Sequence, residues 1–262
     1  MGKLEFWRII TAAYGCAFAH LGRFIRFSGA WLVGVIGFHA GVVLHLPLAV
    51  RLAAALGLAL FLLGGLVAFP LAWHRLILLG EERRFFAALR FGRRAWRFLA
   101  YVILTSALLV VPAYLALAIT GSIAAALRPR LGRAAIAIPV IIVPAVWCLA
   151  SRLTLALPAI AVDETGPVLR RAWARGRGNG VRLALGWLFC TLPFVGLTDI
   201  LHGLQVRIGA RTILGGAVVG GLPFIVEFLE AAVTVGFLSH SYRQLADAAS
   251  GSDCPKALSS SC

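Results

Sequence analysis

The feature that most constrains this chain is a series of long stretches almost free of charge. They run over residues 28–50, 52–73, 98–127, 134–162, 183–205 and 212–242. The fourth is interrupted only by Arg152, the fifth carries Asp199 near its end, and the sixth carries Glu227 and Glu230. About 20 consecutive apolar residues suffice for a helix to cross a bilayer, and each stretch reaches that length. In lipid only helices and closed barrels satisfy their backbone polar groups, and these runs are continuous rather than alternating. The sequence therefore predicts an all-α polytopic membrane protein with six transmembrane helices. Composition agrees: 61% of the residues are hydrophobic, 13% are charged, and the mean hydropathy is +0.92. A soluble domain is usually about 45–50% apolar and about 25% charged, so that class is excluded.

The segments between the runs are basic. Residues 74–97 hold seven arginines and residues 165–182 hold five. With six spans, 18 of the 25 Lys and Arg fall on the side shared by the two termini. The positive-inside rule then places both termini in the cytoplasm. Residues 1–27 read as an amphipathic helix lying in the interface plane. Arg8, Arg23 and Arg26 fall on one side of it, and Phe6, Ile10, Ala13, Ala17, Leu21 and Phe24 on the other. Three parts follow: the interfacial helix 1–27, a six-helix domain 28–245, and a flexible polar tail 246–262. The five cysteines form no CxxC pair and read as apolar fillers and tail thiols.

The residues that could carry chemistry are the charges inside the apolar runs. A charge at the bilayer centre costs about 2.5–3.5 kcal/mol on insertion scales, so it is rarely idle. Glu227 and Glu230 sit one turn apart on one helix face. Arg152 and Glu230 lie equally far along their runs, which predicts an Arg152–Glu230 pair with Glu227 beside it. That network reads as a static lock between helices or as a proton or substrate site, unless Arg152 simply snorkels to the cytoplasmic interface. A second candidate set is the basic face: Arg75, Arg83, Arg84, Arg90, Arg93, Arg94, Arg97, Arg170, Arg171, Arg175 and Arg177. Each such arginine is worth about 1 kcal/mol against an anionic leaflet. The stretch 175–180, RGRGNG, reads as a lipid-phosphate cradle or as an elbow before the fifth run. No GxSxG elbow, HExxH, Walker loop or GxGxxG after a strand is present, so no catalytic residue, metal or cofactor is expected.

Two stretches, WHRLILLGEE at 73–82 and RLTLALPAIAVDETGPVLRRAWARGRGNGVRL at 152–183, resemble uncharacterised bacterial six-helix membrane proteins. These are akin to the membrane domain fused to some bacterial glycerophosphoryl diester phosphodiesterases. The matching features are the arginine, the LALP turn, the acid, Ala172-Trp173, and Gly178-Asn179-Gly180 leading into a span. The family often has Ser where this chain has Ala172. The resemblance implies a membrane location and six helices, and carries over no phosphodiesterase activity and no catalytic residue. The expectation is a non-enzymatic inner-membrane protein whose partners are the bilayer and its anionic lipids, with no nucleic acid. On this reading it serves as an accessory or scaffold subunit of a larger membrane complex. The alternative is a small transporter or lipid translocator using Arg152, Glu227 and Glu230.

Overall fold

The structure is a computed structural model that describes residues 3–26, 29, 33–34, 47–81, 92–208 and 213–250. Helix is the only regular structure among them. The elements are α1 (Phe6–Ala19), α2 (Leu48–Leu79), α3 (Arg93–Leu131), α4 (Ala137–Ala150), α5 (Ala156–Ala161), α6 (Val168–Arg175), α7 (Gly180–Ile208) and α8 (Ile213–Ser250). Short 3-10 stretches, Gly132–Ile136 and Ser151–Leu155, join α3 to α4 and α4 to α5.

Four helical stretches are long and apolar enough to cross a membrane: Arg93–Arg130, Ala137–Ala161, Gly180–Gln205 and Gly221–Ala248. They coincide with the last four predicted runs. The first run, 28–50, lies mostly outside the described residues. The second falls within α2, where Leu63–Leu79 is an apolar helix of sub-span length.

α8 is the central element. It packs against α7, α1 and α2, and half of its most apolar window is buried. α3 is its opposite. Only 6% of its most apolar window is buried, leaving Ile103, Val110, Val111, Tyr114 and Ile119 exposed. In water such a surface would be costly at about 25 cal/mol per Å², whereas in lipid tails it costs nothing. α3 has 39 residues, about 58 Å at 1.5 Å per residue, and outruns a hydrocarbon core of about 30 Å. Its basic ends, Arg93–Arg97 and Arg128–Arg130, therefore project beyond the apolar layer as helix.

The terminal segments differ from expectation. α1 is amphipathic, as its sequence predicts, with Ile10, Ala13, Ala17 and the downstream Phe24 buried and Trp7 exposed. Its apolar side packs on α8 and α7 within the one hydrophobic core. Gly236 of α8 makes the close approach: a Cβ there would stand 3.5 Å from Ala13. Two side chains anchor the start of α1: the Leu4 N–H donates to Asn179 Oδ1 at 3.0 Å, and the Glu5 N–H to Gln244 Oε1 at 3.2 Å. α8 stays helical to Ser250, beyond the expected start of the tail, and residues 251–262 lie outside the described residues. Cys148 and Cys190 carry free thiols, but Cys16 is disulfide-bonded, which corrects its reading as an apolar filler.

Candidate functional site

Two helix ends and one loop build a charged cluster at the end of the bundle where α2 stops and α3 starts. α2 ends at Gly80, whose φ of +66° only glycine adopts without penalty. The chain turns back there, and the Glu81 carboxylate takes two hydrogen bonds from Arg75, at 2.9 and 2.5 Å. α5 ends in a Schellman motif: the Glu164 N–H donates to the Ala159 carbonyl and the Asp163 N–H to that of Ile160. Its left-handed position is filled by Asp163, at φ +62°, the one such non-glycine residue described. That conformation costs an L-residue about 1–2 kcal/mol, least for Asn and Asp.

The strained residue is the hub. Asp163 accepts from Arg75 at 3.1 Å and from Arg94 Nε at 2.7 Å. Arg75 is only 5% exposed, and its guanidinium also donates to the Ala161 carbonyl at 2.6 Å. One residue on, Glu164 holds a second group. Arg175 donates to both its oxygens, at 2.7 and 2.9 Å, Arg171 lies at 2.8 Å, and the Tyr242 hydroxyl donates at 2.9 Å. The Arg175 guanidinium also stacks 5.1 Å over the Tyr242 ring. Burial pushes both carboxyls upward, but their hydrogen bonds to arginine, and for Glu164 also to Tyr242, outweigh it and leave both below the usual range. The bond to Glu164 holds Arg175 above its ordinary value against the opposing effect of burial.

This dipeptide therefore ties α2, α3, α5, α6 and α8 together. It takes up Arg75, Arg94, Arg171 and Arg175, which sequence reading placed against lipid; buried Arg75 in particular faces protein. Arg93, Arg97, Arg170 and Arg177 are exposed, as are Trp96 and Trp173. Arg83, Arg84 and Arg90 lie outside the described residues. The cluster is not read from the sequence because Glu81, Asp163 and Glu164 enter there only inside the two stretches that carry the resemblance, with no partners assigned to them. The available signal was two adjacent acids directly after an apolar run and before an Arg-rich segment.

The expected Arg152 network has a different form. Arg152 sits in the 3-10 stretch before Pro158, whose ring cannot accept a regular helical carbonyl at Thr154. Its guanidinium lies 5.1 Å over the Trp173 ring. Among the described residues no ion pair joins it to Glu227 or Glu230. Its backbone and stem pack on the RGRGNG elbow. A Cβ at Gly176 would meet Arg152 Cβ at 2.7 Å, and one at Gly180 would meet the Cys148 carbonyl oxygen at 2.3 Å. Asn179 is buried, and its Oδ1 takes the Leu4 N–H. The elbow is thus a packed joint that glycine makes possible.

Glu227 is exposed on the bundle surface and Glu230 half-buried. Neither has a basic partner within ion-pair distance among the described residues. Tyr14 of α1 is within electrostatic reach of Glu230, and His202 of α7 of Glu227. The Tyr14 hydroxyl itself donates to the Phe189 carbonyl at 3.1 Å. A buried pair was also missed: His74 Nδ1 stands 2.7 Å from Ser239 Oγ, and both residues are fully buried. Among the described residues no three His, Cys, Asp or Glu side chains gather as a metal site.

Fold and site together define an all-helical protein of membrane-spanning type with a charged cluster at one end. No family model, curated protein or solved structure matches the chain.

Proposed function

We propose that this chain is a non-enzymatic integral inner-membrane protein with six spans and cytoplasmic termini, whose basic end engages anionic phospholipid. The observation that carries the reading is a division of labour among the arginines. Glu81, Asp163 and Glu164 nearly neutralise Arg75, Arg94, Arg171 and Arg175 inside the protein. Arg93, Arg97, Arg170 and Arg177 remain outward beside the exposed rings of Trp96 and Trp173. Exposed cations next to tryptophan at the end of an apolar layer are the chemistry of a headgroup interface. At about 1 kcal/mol each, four arginines supply about 4 kcal/mol toward an anionic leaflet. The large apolar face of α3 supports a scaffold role, in which a neighbouring membrane subunit packs beside it.

The test is the selectivity of the boundary lipid, read with spin-labelled phosphatidylglycerol and phosphatidylcholine around the reconstituted chain. Wild type should enrich the anionic lipid. Replacing Arg93, Arg97, Arg170 and Arg177 together by Gln should abolish that enrichment while the fold persists. Equal enrichment by the variant would remove the proposal.

A second reading, a small transporter, is favoured by one observation: two carboxylates one turn apart in a membrane helix, without a cation among the described residues. Arg152 supports it less, because its guanidinium is stacked on Trp173.

A further inference from the structure

Hydroxyl groups in membrane helices have a default partner, the backbone carbonyl three or four residues earlier. Most of the hydroxyls here use it. Thr105 donates to Tyr101 O at 2.6 Å, Ser122 to Ala118 O at 2.8 Å, Ser239 to Val235 O at 2.8 Å and Thr154 to Ser151 O at 2.6 Å. Thr234 and Ser241, both on α8, do not. Their oxygens are buried and have no partner among the described residues, and Ser241 as a whole is 0% exposed. A buried hydroxyl without a hydrogen bond costs about 1–3 kcal/mol, and proteins commonly meet that cost with an ordered water.

The positions of the two hydroxyls give this meaning. At 100° per residue, positions 227, 230, 234 and 241 fall within about 60° of one another on the helix wheel. The two carboxylates and the two unpartnered hydroxyls therefore lie along one stripe of α8, which is interrupted between Thr234 and Ser241 by the apolar turn of Phe237 and Leu238. It extends about 21 Å, from mid-span to the charged end of the bundle. Ser241 adjoins Tyr242, whose hydroxyl is bonded to Glu164. The titratable groups near the acid end are Tyr14 of α1, Cys190 of α7 within reach of Tyr14, and His202 of α7.

We propose that this stripe is a site for a file of ordered water molecules, which gives Glu227 and Glu230 proton exchange with the solvent at the Asp163–Glu164 end. The ligands are water and the protons it relays. Thr234 and Ser241 are positioning residues that hold the file, and the carboxylates are its terminus. The inference uses the carboxylates of the second reading above but does not require transport. Exchange without any substrate would still be seen, so its failure is distinct from failure of that reading.

The experiment is infrared spectroscopy of the full chain, reconstituted in vesicles of phosphatidylethanolamine and phosphatidylglycerol, during replacement of H2O by D2O. The signal is the C=O band of the protonated carboxyl shared by the pair, identified by its change in Glu227→Gln and Glu230→Gln. The expected result is rapid deuteration in wild type, slowed about tenfold in Thr234→Val and in Ser241→Ala, with Thr234→Ser restoring the rate. If Thr234→Val does not fold, Ser241→Ala carries the comparison. Absence of a carboxyl band that responds to either Gln variant overturns the proposal. So does exchange at the wild-type rate in Thr234→Val and Ser241→Ala.

Discussion

Two pairs of acids in this protein behave differently: Asp163 and Glu164 are adjacent in a loop, and Glu227 and Glu230 stand three residues apart in a helix. Asp163 and Glu164, in a loop at the bundle end, are met by four arginines and a tyrosine hydroxyl. Glu227 and Glu230, in the middle of an apolar helix, have no cation within ion-pair distance among the described residues. The loop pair is bonded from α2, α3, α6 and α8, so the fold depends on its charge. Among the described residues the span pair makes no ion pair that would hold the fold, although its charges are the costlier ones to place. Paired and unpaired acids are thus separated along the length of α8 among the described residues, with Tyr242 at one end and Glu227 toward the other.

The largest effect should come from breaking the loop pair. Glu164→Ala strips Arg175, Arg171 and Tyr242 of their shared acceptor and should destabilise the protein by about 3–5 kcal/mol, as removal of one buried ion partner does. Denaturant titration in mild detergent measures it. Next is the joint beside the clamp. Gly180→Ala places a methyl 2.3 Å from a backbone oxygen that cannot swing away, and should cost about 1–3 kcal/mol. A melting temperature equal to wild type would show that the helices at this joint can separate freely.

Asp163 separates charge from backbone. Asn accepts the left-handed conformation but carries no charge, whereas Ala loses both advantages. Asp163→Ala should therefore be less stable than Asp163→Asn by about 1 kcal/mol, and both less stable than wild type. Equal stability of the two variants would remove the backbone part of the account.

Acid titration sharpens the same comparison. Asp163 and Glu164 are held below their ordinary values of 3.8 and 4.5 in the folded chain. A depressed carboxylate contributes stability that is complete above its unfolded value and is lost as pH falls through the folded one. Melting temperature should therefore hold down to about pH 4.5 and then drop. The drop should be smaller in Glu164→Gln, which has already lost that contribution.

Much of this fold is legible in the sequence because lipid imposes a simple rule: four of the six predicted runs are helices long and apolar enough to span. Helix ends were harder to read. α3 begins at Arg93, five residues before its apolar run, because arginine is a good helix former and a helix need not stop where the hydrocarbon does. Arg152 and Glu230 were matched by counting residues along two regular helices. Among the described residues Arg152 meets neither carboxylate, because its guanidinium stacks over Trp173 and its stem packs on Gly176, contacts that a residue count along two helices does not register. The loop clamp escaped notice because its partners come from positions 75, 94, 164 and 242, which no local spacing connects.

The most direct test of the central claim compares Glu164→Gln and Glu227→Gln at neutral pH, by melting temperature, in the same vesicles. The account predicts a fall of several degrees for Glu164→Gln and a value at or above wild type for Glu227→Gln. A fall for Glu227→Gln as large as that for Glu164→Gln would contradict it, because the span carboxylate would then be holding the fold.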